Sequence, residues 1–238
     1  MPWLVRSASP LASPDAAKPS LAGFAAGSGP ASVDKSRADW FRSIDVVLAL
    51  AAVLFFLPLL VVIALMIRAS ESGPVIFRHR RIGRDGKEFY CLKFRTMAVD
   101  ADARLAALLK SDPAARAEWD RTQKLRNDPR ITTVGAFLRK SSLDELPQLF
   151  NVLNGTMSWV GPRPIVANEV ARYGARFETY CKVRPGITGL WQISGRNDTT
   201  YRRRVAMDVL YVRSRNIRLN SLIIAKTLPA VLMQQGSY

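Results

Sequence analysis

The sequence predicts an α+β, mostly helical protein, monotopic in a membrane and held there by one re-entrant helix broken near its middle. Three observations carry this expectation. Val46 to Ile67 is an apolar run of 22 residues without a charge. Pro58 lies near its centre, and both flanks are basic. Behind the run, one Asp-Gly turn separates two short β-type segments, and helical segments of mixed charge fill most of the remaining chain.

At a helical rise the apolar run extends roughly 33 Å, enough to cross a bilayer. Pro58 removes the hydrogen bond to the Leu54 carbonyl, so a kink is the minimum consequence. Positive charge belongs on the cytoplasmic side. Here Lys35, Arg37 and Arg42 precede the run, and Arg68, Arg78, Arg80, Arg81 and Arg84 follow it. A helix that bends at Pro58 and leaves by the face it entered satisfies both ends; a kinked crossing helix is the alternative. Trp40 and Phe41 suit a headgroup boundary. Residues 1–38, rich in Ala, Ser, Pro and Gly, read as a disordered tail with no secretory signal pattern. The expected organisation is a tail (1–38), a membrane segment (39–74) and a cytosolic or interfacial domain (75–238).

Val75-Ile76-Phe77, the turn Arg84-Asp85-Gly86-Lys87 and Phe89 to Phe94 predict a small β-hairpin. Helices are expected over Asp100–Leu109 and Pro113–Leu125, ended by Asn127-Asp128-Pro129. Further helices are expected from about Asp144 to Asn154-Gly155, from Ile165 to about Tyr180, and twice in the last forty residues. The final one, Leu219 to Met233, is apolar but holds Lys226 and Pro229, so it is expected in the membrane interface or on the core. Two Gly-Pro stretches, Val160 to Pro164 and Val183 to Gln192, read as stiff loops.

The chain carries 35 Lys and Arg against 19 Asp and Glu, a formal charge of +16. Such an excess asks for a polyanionic neighbour: nucleic acid, anionic lipid or a phosphorylated substrate. From Phe77 to Arg95 there are seven Lys or Arg and two acids, which beside a membrane run favours contact with phosphates. Cys91 and Cys181 are too few for a disulfide framework and read as buried thiols. His79 is the one histidine, so histidine triads and His/Cys zinc sites are set aside, and any catalysis falls to carboxylates. The natural candidates are Asp144 and Glu145, which follow Arg139 and Lys140. Pro147 keeps a helix here from starting before about Asp144, so both acids are expected in a first turn, where free amides favour negative charge. A carboxylate so placed serves as a cap, a nucleophile or a ligand for a hard cation.

Four ordered motifs add a resemblance. Lys93-Phe94-Arg95-Thr96-Met97, Ser142 to Leu153, Gly161-Pro162-Arg163-Pro164 and Arg184-Pro185-Gly186-Ile187-Thr188-Gly189-Leu190 are similar to those of the bacterial sugar transferases, the monotopic phosphoglycosyl transferases. The resemblance runs from about Trp40 to the C-terminus and is to the short, catalytic-module form that initiates exopolysaccharide or other cell-surface glycan synthesis. It implies Mg2+-dependent transfer of a hexose 1-phosphate from a UDP-sugar to undecaprenyl phosphate at the cytoplasmic face of a bacterial inner membrane. It also implies a ping-pong course with Asp144 as nucleophile, and Glu145 as its partner in metal binding or base catalysis.

By the same resemblance Lys93, Arg139 and Arg163 match phosphate-binding cations, while Gln148, Arg184 and Arg196 belong to substrate or structural loops. One departure stands out: Leu57, not a serine, precedes Pro58. Anionic membrane lipid and a second copy of the chain, as a homodimer, complete the expected partners. Galactose, glucose and an acetamido sugar all remain candidates for the donor. A membrane-tethered nucleic-acid binder would call for aromatics throughout the basic patch and no acidic pair, and only Phe89, Tyr90 and Phe94 offer the former. An idle scaffold for an assembly complex would have no use for Asp144, Glu145, Arg139 and Arg163.

Overall fold

The computed structural model describes residues 35–194 and 200–232, with side chains over 40–194 and 200–227. Residues 1–34 of the expected tail and Arg196 lie outside the described residues. From Trp40 onward the described residues belong to one compact unit.

The apolar run folds as helix α1 (Lys35–Ser70), which starts inside the expected tail and contains Pro58. Helical structure runs through Pro58 without a gap, so a bend there is a kink within one helix. Proline forfeits one hydrogen bond there, but its fixed φ is itself helical. Packing on both sides of it holds the helix. Asp45, Ala49, Val53, Leu60, Ile63 and Ile67 are buried, spaced three, four or seven apart as one helical face requires. Leu54, Phe55, Val61 and Leu65 on the other faces are exposed. Only 17% of the most apolar stretch is buried, which suits a membrane-embedded helix and not a soluble core helix.

Both ends of α1 are held by the same unit. Near its start, Arg42 donates to the carbonyls of Val152 and Leu153 at 2.5 and 2.9 Å. Beyond its end, Arg95 donates to the carbonyls of Glu71 and Ser72 at 3.0 and 3.1 Å. The membrane segment therefore packs with the domain that follows it.

Strands β1 (Ile76–Ile82) and β2 (Glu88–Phe94) pair antiparallel as expected, with Ile76 opposite Phe94 and Ile82 opposite Glu88. The turn uses left-handed backbone at Asp85 and Gly86 (φ 58° and 70°), which Asp and Gly tolerate best. A two-stranded sheet leaves β2 with an open edge. Asn151 fills it: its Oδ1 accepts from Leu92 N and its Nδ2 donates to Tyr90 O, both at 2.8 Å.

Helices α2 (Ala101–Ser111) and α3 (Pro113–Thr122) pack on each other, with Asp112 capping α3 by accepting from Ala114 and Ala115 N–H groups. α4 (Thr133–Lys140) is capped by Thr132. α5 (Gln148–Leu153) begins only after Pro147. A second, parallel sheet was not expected: β3 (Ser158–Val160) pairs with β4 (Gly186–Thr188). Both Gly-Pro stretches thus lead into or out of a strand. A Cβ on Gly161 would lie 2.5 Å from Arg184 O, and one on Gly186 would lie 2.1 Å from Gly161 N. Only glycine permits this approach.

The helix expected over Ile165–Tyr180 is divided into α6 (Val170–Tyr173) and α7 (Phe177–Cys181), flanked and joined by 3-10 turns. Gly174, at φ 51°, interrupts it. α8 (Tyr201–Ser214) and α9 (Ile217–Leu232) follow. Ile223 of α9 is buried with Val160 and Tyr211, which places this part of α9 on the core. Cys91 is buried and Cys181 partly so, both as free thiols.

Candidate active site

The site forms where one face of the hairpin meets the turn before α5. Strand alternation puts Cys91 and Lys93 on one face of β2, and the register sets His79 opposite Cys91 and Phe77 opposite Lys93. Lys93 Nζ lies 2.6 Å from Glu145 Oε1 and 3.5 Å from Asp144 Oδ2. The two carboxylates sit in a single 3-10 turn, Leu143–Glu145, entered through Ser142 in left-handed conformation (φ 57°). They are not in the first turn of α5, so the helix-start argument for their charge does not apply. Lys93 supplies the positive partner instead.

Asp144 is 9% exposed. Burial raises its pKa above the ordinary carboxylate value and Glu145 adds to the rise, while Lys93 and Arg139 pull against it. Burial acts to lower Lys93, but Glu145 and Asp144 outweigh it and leave its pKa raised. The result is a cation firmly charged and a carboxylate short of solvation. Asp144 Oδ1 has no hydrogen-bond partner among the described residues.

Arg139 Nε donates to Thr96 Oγ1 at 2.9 Å, and its own pKa is lowered by burial with Asp144 pulling the other way. Arg139 thus lies near Asp144 but outside the pocket wall. Lys93, Glu145, Gln148 and Arg163 do line that pocket, together with Arg81, Cys91, Pro164, Gly186, Ile187 and Gln192. It is open to solvent, with about 300 Å³ of empty space. Arg163 makes no ion pair or hydrogen bond among the described residues; its guanidinium lies 5.8 Å from the Trp191 ring centroid, and that of Arg204 lies 4.0 Å away. Burial and the charges of Arg81, Lys93 and Arg163 hold His79 down at about 4, so it is neutral near pH 7.

The motifs explain themselves in these contacts. Lys93 faces the acids, Phe94 is core, Arg95 holds the exit of α1, and Thr96 takes Arg139. Arg81 donates to Pro164 O at 3.1 Å and so steadies the turn that presents Arg163. Arg184 stands apart: its Nε donates to Gly155 O at 2.8 Å, beyond the end of α5. It lies outside the pocket, whereas Gln148 lines it.

Arg81, Cys91, Ile187 and Gln192 were not singled out for the site beforehand. The alternation of residues 79 and 81 against 91 and 93 carried the signal for the first two. Beside the pocket, Tyr173 donates to buried Asp208 at 2.7 Å, and burial lifts Asp208 to about 7 against that bond and against Arg204 and Arg163.

The comparisons agree on one family. The model for the bacterial sugar transferases matches residues 37–234. The exopolysaccharide production protein ExoY of Sinorhizobium fredii is 49% identical over 197 residues, 83% of this chain and 87% of that protein. The undecaprenyl-phosphate galactose phosphotransferase of Salmonella typhimurium is 48% identical over 197 residues, 83% of this chain but 41% of that longer protein. The UDP-glucose:undecaprenyl-phosphate glucose-1-phosphate transferase of Escherichia coli is 40% identical over 205 residues, again covering 41% of the relative. The chain belongs to the bacterial sugar transferase family.

Proposed function

We propose that the protein is a phosphoglycosyl transferase that moves a hexose 1-phosphate from a UDP-sugar to undecaprenyl phosphate, through an intermediate on Asp144. The observation that carries this is the buried, poorly solvated Asp144 carboxylate, 3.5 Å from Lys93 Nζ. Asp144 sits just behind the pocket wall, which Lys93, Glu145 and Arg163 line. Raised basicity and lost solvation both favour nucleophilic attack. In the first step an Asp144 oxygen bonds to the β-phosphorus, the bond from that phosphorus to the bridging oxygen breaks, and UMP leaves. In the second, an oxygen of undecaprenyl phosphate attacks the same phosphorus and the acyl-phosphate bond breaks, which restores the carboxylate. No net proton moves if the acceptor arrives as a dianion; Glu145 would take the proton of a monoanion. Lys93 and Arg163 offset the repulsion between carboxylate and diphosphate. Relatives named for galactose and for glucose leave both donors open.

The donor set fits Mg2+, which binds through one or two carboxylates plus substrate phosphates. Asp144 Oδ1 and the Glu145 carboxylate would hold it beside the Lys93 ammonium. Among the described residues no cluster of three His, Cys, Asp or Glu offers a closed protein cage. Bound there, the ion would neutralise charge on the diphosphate.

The test is to mix the chain with donor labelled in the sugar, Mg2+ and no lipid. Label on the peptide holding Asp144, with stoichiometric UMP, is expected. No UMP until lipid is added would mean direct attack by the acceptor phosphate.

The reading places the protein at the cytoplasmic face of a bacterial inner membrane with α1 re-entrant. Basic residues on both flanks and one unit gripping both ends support it. Cysteines introduced at residues 35 and 72 should label from the same side in intact cells; labelling from opposite sides would establish a crossing helix.

A further inference from the structure

Away from the pocket, four arginines from distant parts of the chain converge near the start of α1. Arg42 lies on α1, Arg84 in the hairpin turn, Arg184 before β4 and Arg215 between α8 and α9. Arg42 and Arg184 meet at Gly155: a Cβ there would lie 3.6 Å from an Arg42 Nη, and Arg184 donates to the Gly155 carbonyl. Arg215 stacks over Phe41, the neighbour of Arg42, and after burial the charges of Arg84, Arg42 and Arg215 push the Arg184 pKa down while Asp45 pulls it up. The Asp45 carboxylate already accepts from Trp159 N at 3.2 Å. Arg215 Nε is buried with no hydrogen-bond partner among the described residues, and its guanidinium lies 4.3 Å from the Phe41 ring centroid. Arg84 pairs with Asp85, at 3.7 Å, on an exposed turn. None of the four lines the catalytic pocket.

Like charges so gathered repel one another, and each guanidinium carries five donors, more than its protein partners use. A phosphate oxyanion would meet both needs. Position identifies its source. Arg42 stands just before the apolar run, Trp40 next to Phe41 is 57% exposed, and Ile217 beyond Arg215 is 48% exposed. Aromatic and apolar side chains beside arginines are what a headgroup layer meets. We propose that Arg42, Arg84, Arg184 and Arg215 bind the phosphate of an anionic lipid headgroup, at a site separate from catalysis. The proposal rests on α1 being the membrane helix described above and is independent of the transfer chemistry.

The experiment uses the full chain in neutral detergent. Its thermal midpoint is followed against short-chain phosphatidylglycerol, phosphatidylcholine of the same acyl length, and inorganic phosphate. Phosphatidylglycerol should raise the midpoint saturably and phosphatidylcholine should not. Arg84→Gln and Arg215→Gln should each weaken the apparent affinity about fivefold, and Arg116→Gln on α3 should leave it unchanged. Arg84, being exposed, keeps the test valid if the Arg215 variant fails to fold. Equal response to both lipids would reduce the effect to apolar contact and overturn the site. A matching response to inorganic phosphate would make the ligand a soluble anion and overturn the headgroup assignment. Unchanged affinity in both variants would remove these arginines. A chain that binds phosphatidylglycerol but releases no UMP from any donor would sink the proposed reaction and leave this site standing.

Discussion

Arg163 and Arg184 stand beside prolines at two strand ends that touch, Arg163-Pro164 after β3 and Arg184-Pro185 before β4. Each has its backbone stiffened in the same way. Yet Arg163 faces the pocket with no ion pair or hydrogen bond among the described residues, while Arg184 donates to Gly155 O. What a guanidinium is satisfied by, and not the motif around it, decides its work. Under the proposed reaction the donors of Arg163 would meet the diphosphate, while the Nε of Arg184 holds the chain after α5 and leaves its other donors outside the reaction.

The largest effect tests the pocket side of this contrast. Asp144→Asn keeps the side-chain shape and removes the nucleophile's charge, so turnover should fall to background while the chain stays folded and membrane-bound. Residual turnover near wild type would leave Asp144 a metal ligand at most. Arg163→Ala comes next. A charge-assisted contact that acts mainly in the transition state is worth roughly 2–4 kcal/mol, so kcat/KM should drop about thirty- to a thousand-fold. Arg163→Lys should recover part of that loss, since the charge returns without the paired donors. Near-native rates in the alanine variant would dissolve the distinction between the two arginines.

How far the sequence disclosed all this follows from how local each cause is. The hairpin turn is written in Asp85-Gly86, and α4 and α8 in the caps Thr132 and Thr200, because a cap or turn needs only its neighbours. The membrane helix is written in its length. The setting of Asp144 is not so local: it depends on Ser142 turning left-handed and on Lys93, 51 residues away. The parallel pair β3 and β4 was missed because each strand has three residues and pairs across a long gap, under steric conditions set by Gly161 and Gly186. Asn151, filling the open edge of β2, looks from sequence like any polar residue in a helix. Residue types and motifs thus named the candidate set, and long-range contacts give each described member its surroundings.

The smallest effect tests the structural side. Arg184→Ala deletes the bond to Gly155 O, whose donor is half-withdrawn from solvent and leaves a carbonyl beyond α5 unserved. One charge-assisted bond to a backbone carbonyl contributes about 1–3 kcal/mol. Arg42 remains on the neighbouring Val152 and Leu153 carbonyls and softens the loss, so about 1 kcal/mol is expected. The thermal midpoint in neutral detergent should therefore fall by a few degrees. Turnover per folded molecule, measured below that midpoint and without anionic lipid, should stay within about twofold of wild type, because no catalytic contact is lost. A loss of kcat/KM comparable to that of Arg163→Ala, with an unchanged midpoint, would place Arg184 on the substrate and erase the contrast. A lowered midpoint with preserved turnover would confirm that two arginines beside prolines divide the labour, Arg163 serving the donor diphosphate and Arg184 staying outside the reaction.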